Sequence, residues 1–167
     1  REHYVDTVTN PVSLEKIRPH ISANDYSKLM EIYPSGDCMI WGVTPSKLNF
    51  NKWKRINIGD ITLFSSSGKI YSSAVTTYKL HSQSLAVELW DYNEKGETWE
   101  YVYFVDEVKS LDIPYIAFNR VVGYANNFVI QGFNILDDEK SRRVINGFDL
   151  ESDIYSENVT YDDFIEA

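Results

Sequence analysis

Apolar and polar positions change their rhythm along the chain, and the change predicts helices first and strands later. SLEKIRPHI and SANDYSKLMEIYP each offer a serine or asparagine cap, mixed charges, and a proline that interrupts or stops the run. PSGD is a turn, and CMIWGV after it is an apolar strand suited to burial. In TPSKLNFNKWKRI, Thr44 can cap and Pro45 suits the first helical position, so a short helix follows with Leu48, Trp53 and Ile56 on its buried side. INIGD is a turn in which Gly59 makes a positive φ cheap. ITLFSS and IYSSAVTTYKL then form a hairpin about a serine-glycine turn.

A second strand pair is expected from SLAVELW and WEYVYFVDEV, with a polar loop between them and a tryptophan at each lip, Trp90 and Trp99. In the later strand both alternating faces are largely apolar, which places it centrally, covered on each side. IPYIAFNRVVGY holds a helical turn and NFVIQGF a further strand. LDDEKSRRVINGF is a final helix with Asp137 or Asp138 near its cap and Gly147 past its end. About six strands with hairpin-type links and several short helices favour an α+β fold, a small curved sheet or open β-barrel, over a doubly wound parallel one. Residues 1–148 are expected to form a single domain with a helical N-terminal part. Residues 149–167 read as an acidic linker or tail.

Composition sharpens this picture. At 167 residues, 43% apolar and 25% charged, the chain can bury a core without staples. No apolar run approaches the length of a membrane span, and REHYVD lacks a signal peptide's apolar region, so a soluble, membrane-independent protein is expected. One cysteine, Cys38, excludes an internal disulfide and fits a reducing cytoplasm. The three histidines show no metal-ligand spacing, and neither a metal nor a cofactor is expected. The net charge of −9 argues at first against nucleic acid, but seven of the 25 acidic residues lie in 149–167. The remainder holds 18 acidic residues against 16 basic ones. Within it SKLNFNKWKR gathers Lys47, Lys52, Lys54 and Arg55 without one acid, and KSRR adds Lys140, Arg142 and Arg143. These are candidate phosphate contacts, set against the plainer reading of solvated helix faces.

A search for catalytic motifs returns little. GxxxxGK[ST], GxGxxG and GxSxG are all absent. Cys38 with His81 can be drawn as a nucleophile pair, but Cys38 opens a strand expected to be buried. Asp91, Glu107 and Lys109 imitate the acid, acid-x-lysine pattern of metal-dependent nucleases, a spacing that arises often by chance. The expectation is a binding domain rather than an enzyme. Three of the four tryptophans fall at strand ends, where aromatic faces can form a slot for a flat group or can simply cap a small core.

The succession IWGVT, GDITLFSSSGKIYSSAVTT, LAVELW, a polar loop with a second tryptophan, and YFVDEV resembles the YTH domains that read methylated adenine. The GD before an LF strand is also similar to bacterial EVE domains, which share that PUA-like fold. The resemblance covers residues 37–148, in order but with loose spacing. It implies an aromatic cage that sandwiches a methylated base turned out of its strand. Trp41 and Trp90 fall on the first two cage positions, with Trp99 as third wall and Tyr92 as its substitute. It also implies that Gly42, Val43 and the Thr44 hydroxyl read the base edge, with Asp37 or Asp91 as a polar neighbour.

Domains of this kind often stand at the N-terminus of modification-dependent restriction proteins such as the McrB-type GTPases. The resemblance therefore implies methylated DNA as partner, methyladenine before methylcytosine, and a C-terminal motor or nuclease in the same protein. Stacking supplies about 1–3 kcal/mol per base. One buried methyl adds only about 0.8 kcal/mol, so sharper discrimination rests on an unmodified amine left without a partner. The rival readings are a YTH-like reader of methylated RNA, a small nuclease built on Asp91, Glu107 and Lys109, and a protein-interaction domain whose tryptophans mark a hot spot.

Overall fold

The computed structural model describes residues 2–150 and 159–163. Among these residues there are seven strands, seven α-helices, a π-helical turn and a 3-10 turn. The architecture is α+β, as the pattern predicts. Two compact units divide the chain: residues up to Trp53 with Thr77–Asp106, and Lys54–Thr76 with the residues from Glu107 onward.

The first unit begins with α1 (Glu2–Tyr4) and the π-helical turn Val5–Thr9, tied down where the Thr7 hydroxyl reaches the Ile40 carbonyl at 2.5 Å. β1 (Val12–Ser13) and α2 (Leu14–Ile17) lead through a 3-10 turn to α3 (Ala23–Ile32). α3 starts at Ser22 because its Oγ accepts from the Asp25 N–H at 3.0 Å, satisfying one of the donors that every helix start leaves open. β2 (Asp37–Val43) pairs antiparallel with β1 and with the first half of β5 (Tyr101–Pro114), in the register Trp41↔Tyr103, Gly42↔Val102, Val43↔Tyr101. Val102, Tyr103, Phe104 and Val105 are consecutive and all buried, so β5 is covered on both faces here. The core packs Leu14, Ile17, Leu29, Ile40 and Leu85 against Val102 and Phe104.

Three local expectations change in this unit. SLAVELW is helix α5 (Gln83–Trp90), not a strand. The Ser82 Oγ accepts from the Leu85 N–H at 3.1 Å, and Leu85, Ala86, Leu89 and Trp90 make the inward stripe that helical periodicity requires. Trp99 therefore stands in a loop, two residues before β5. α4 (Lys47–Lys54) is capped by Ser46, whose Oγ accepts from the Asn49 N–H, and it leaves Leu48 exposed where burial was expected.

In the second unit β3 (Ile61–Ser66) and the part of β4 (Lys69–His81) up to Thr76 form the predicted hairpin, paired from Ile61↔Val75 to Ser66↔Lys69. Ser67 and Gly68 both take positive φ (54° and 80°), as a two-residue turn matched to strand twist demands. α6 (Tyr115–Val122) ends at Gly123 (φ 93°), and α7 (Asp138–Gly147) starts where the Asp137 carboxylate accepts from the Lys140 N–H at 2.8 Å. That backbone N–H holds the Asp137 carboxyl below the usual carboxylate range. Of NFVIQGF, only β6 (Asn134–Ile135) beyond it is a strand; Ile130 and Phe133 reach the interior from a loop. β7 (Val159–Asp163), inside the stretch read as a tail, pairs parallel with β3 and antiparallel with β6; the rest of that stretch, from 151, lies outside the described residues. Among the described residues no helix is long and apolar enough to cross a membrane.

Candidate nucleic-acid interface

Three elements of the first unit bring tryptophans together. Trp41 is carried by β2, Trp90 is the last residue of α5, and Trp99 stands near the end of the loop between α5 and β5. Trp90 and Trp99 close on Gly42, the residue after Trp41. A Cβ built there would lie 3.0 Å from Trp90 Cζ3, 3.1 Å from Trp99 Cβ, and closer still to the Trp99 carbonyl oxygen. Only a residue without a side chain lets the loop backbone lie this close to the strand. Trp41 and Trp90 have ring centroids 6.5 Å apart at 65°, an edge-to-face contact, and both rings are buried, 4% and 8% exposed. Two rings that sandwich a base must be parallel, so the Trp41–Trp90 pair as it stands packs against itself. Trp99 is half-buried and Tyr92 is half-exposed.

The loop that carries Tyr92 and Trp99 is tied into one shape. The Thr98 hydroxyl, wholly buried, donates to the Asp91 carbonyl at 2.8 Å. Asn93 Oδ1 accepts from the N–H groups of Lys95 and Glu97, and the Asn93 N–H donates to the Glu97 carbonyl at 2.7 Å. At its hinge Asp91 adopts φ 60°, ψ −161°, a region that only glycine visits cheaply, and its carboxylate accepts from the Tyr92 N–H. Such a conformation costs about 1–3 kcal/mol and sits beside Trp90. The Trp90 Nε1 is buried with no hydrogen-bond partner among the described residues.

Sequence reasoning missed His3. Its ring lies 4.2 Å from Trp99 and 6.0 Å from Trp90, edge-on to both, so a fourth aromatic group closes the cluster from the N-terminal helix. No sequence signal links residue 3 to residue 99.

The remaining predicted residues divide. Val43 is buried in the β2–β5 ladder, next to Gly42. Thr44 accepts at its carbonyl and hydroxyl from Asn49 Nδ2, at 3.0 and 3.4 Å, so its side chain already shapes the start of α4. Asp37 opens β2, four residues from Trp41 and so about 13 Å along the strand. It is not brought to the tryptophans. Lys47, Lys54 and Arg55 are exposed, whereas burial pulls the half-buried Lys52 ammonium below its ordinary value. In the second unit Lys140 pairs with Asp137, and Arg143 donates to Glu139 and to the Val122 carbonyl. Arg142 is exposed and has no ion pair of this kind among the described residues.

Cys38 is wholly buried and donates to the Val12 carbonyl, and burial pushes its thiol up to about 12, far from nucleophilic use. His81 is engaged with Glu100 at 2.9 Å. Among the described residues no group of three or more His, Cys, Asp or Glu side chains is placed to hold a metal ion.

No protein-family model matches the chain, and no curated protein matches it. Among solved structures it is similar to the N-terminal domain of Thermococcus gammatolerans McrB bound to m5C DNA, with a TM-score of 0.62 and 16% sequence identity, over 89% of this chain and 90% of that one. The chain has the fold of that domain. The likeness is one of backbone path, and the residues that differ between the two leave the ligand of this chain to be argued from its own side chains.

Proposed function

We propose that the chain is a non-catalytic DNA-reading module that receives a methylated base, turned out of its strand, at the cluster of Trp41, Trp90 and Trp99. The observation that carries this reading is that Trp90, at the end of α5, and Trp99, in the loop after it, close on Gly42 of β2, while the Trp41 ring meets Trp90 edge-to-face. The shared fold with a domain bound to methylated DNA, and the resemblance to YTH and EVE domains, support it. Because the Trp41–Trp90 pair is closed edge-to-face, the base enters between that pair and Trp99, and the loop from Asp91 to Trp99 swings to admit it. The backbone strain at Asp91, about 1–3 kcal/mol, offsets part of that cost. Turning a base out of a duplex costs a few kcal/mol more, less for a modified pair. Trp41, Trp90 and Trp99, with Tyr92 from the exposed side, then wall the base. Gly42, Val43, Thr44 and Asp91 lie beside it, and Lys47 and Lys52 of the same unit meet the flanking phosphates.

Adenine methylated at its exocyclic amine is the preferred mark. The m5C DNA of the structural neighbour makes 5-methylcytosine the second reading. Such a module works in the cytoplasm as the targeting part of a larger restriction protein, delivering a motor or nuclease to marked DNA. Competition between matched DNA and RNA oligonucleotides with methyladenine, methylcytosine or no mark tests this. Methylated DNA should win, and Trp41→Ala or Trp99→Ala should erase the preference. Equal binding of marked and unmarked strands by the wild-type chain would end the proposal.

A further inference from the structure

A second aromatic array lies apart from the tryptophan cluster, on α4 and the adjoining ends of β4 and β5. Phe50 and Trp53 stack at 6.3 Å and 24°, both rings stand 5.3 Å from Tyr101, and the His81 ring lies 4.7 Å from Tyr101 at 30°. Core aromatics are hidden, but Phe50 is 36% exposed, the His81 side chain 49%, and Trp53 and Tyr101 are half-buried. The array is rigid. Trp53 Nε1 donates to the Val102 carbonyl at 3.1 Å, and Lys79 Nζ sits 4.7 Å over the Trp53 ring while donating to the Trp53 carbonyl. α4 belongs to the ten-residue run from Ser46 to Arg55, which holds four basic residues and no acid. The Glu100 carboxylate beside the array is engaged by His81.

Register joins this surface to the tryptophans. In the β2–β5 ladder Val43 pairs with Tyr101 and Trp41 with Tyr103, so Tyr101 and Trp41 project to one face at neighbouring levels, about 7 Å apart along the strands. Flat rings set among cations suit a strand that presents both a base face and a phosphate. The geometry points to Phe50, Trp53 and Tyr101 as a stacking platform for an unpaired nucleotide of the DNA strand that flanks the base read at Trp41, with Lys47 and Lys79 serving its phosphate. This rests on the DNA-reading proposal above and adds a second base-binding position to it.

The test uses the full chain and single-stranded DNA with a methylated or unmodified central base, whose flanking residues either carry bases or are abasic. Abasic flanks keep the phosphates and remove the stacking partner. The wild-type chain should lose about tenfold in affinity on going to abasic flanks, with either central base. Phe50→Ala should abolish that loss, and Phe50→Tyr should retain it. Equal wild-type affinity for base-bearing and abasic flanks would overturn the platform. So would a Phe50→Ala chain that keeps the full difference, or one in which the substitution changes the oligomeric state rather than DNA affinity. The ratio of methylated to unmodified binding at fixed flanks reports separately on the tryptophan cluster, so either reading can fail alone.

Discussion

Gly42→Ala is the sharpest test of how the tryptophan cluster is built. The added methyl would stand 3.0 Å from Trp90 Cζ3 and 3.1 Å from Trp99 Cβ, and nearer than either to the Trp99 carbonyl oxygen. The last contact is with backbone, so no rotamer change relieves it. The loop must move away from β2 or the strand must bend. Overpacking of this kind costs about 1–3 kcal/mol, and a backbone clash belongs at the upper end. For a domain of this length each kcal/mol is worth about 2–4 °C in melting temperature, so a drop of about 4–12 °C is expected. Thermal unfolding followed by circular dichroism measures it, and oligonucleotide binding on the folded variant should show the methyl preference reduced because Trp99 is displaced. An unchanged melting temperature together with wild-type binding would refute the claim that Trp90 and Trp99 are held by close approach to Gly42.

Three further outcomes follow from the same geometry. Asp91→Gly removes a strained φ at the loop hinge along with one carboxylate bond, so the melting temperature should hold or rise while affinity for methylated DNA falls, the strain no longer favouring opening. Ser82→Ala removes the α5 cap at Leu85 and the hydroxyl bond to the His20 carbonyl, and should cost about 1–2 kcal/mol in urea unfolding, restored by Ser82→Thr. Cys38 should resist alkylation in the folded chain at mildly alkaline pH and react on unfolding. Since burial raises its thiol from 9.0 to about 12, the folded state holds the proton longer, and stability is full below 9.0 and falls as pH rises toward 12; Cys38→Ala should flatten that fall.

The parts of the fold legible from sequence were those with strong local chemistry. Ser22 before α3, Asp137 before α7, the Ser-Gly turn between β3 and β4, and the two-sided apolar run Val102–Val105 each stand where the pattern predicts. LAVELW misled because its short apolar run fits a strand by alternation, while the decisive Ser82 cap lies outside the run. Leu48 was assigned inward from a Thr44 start. The actual start at Ser46 and the burial of the Trp53 side leave Leu48 facing water.

At the site, the sequence singles out Trp41, Trp90 and Trp99; the Trp41 and Trp90 rings meet, although nothing local says at what angle. The Trp41–Trp90 angle depends on how β2 and the end of α5 meet, and the position of Trp99 on a loop tied by Thr98 and Asn93. His3 was invisible because the contact joins the first helix to a loop some ninety residues later, and one histidine carries no periodicity.

The central claim is that a methylated base comes to rest against these indole rings. Intrinsic tryptophan fluorescence, titrated with methylated and unmodified DNA of the same sequence, tests it most directly. Strong, saturable quenching by the methylated strand, weak quenching by the other, and loss of the difference in Trp99→Ala are the predicted results. Identical titration curves for the two strands would contradict it.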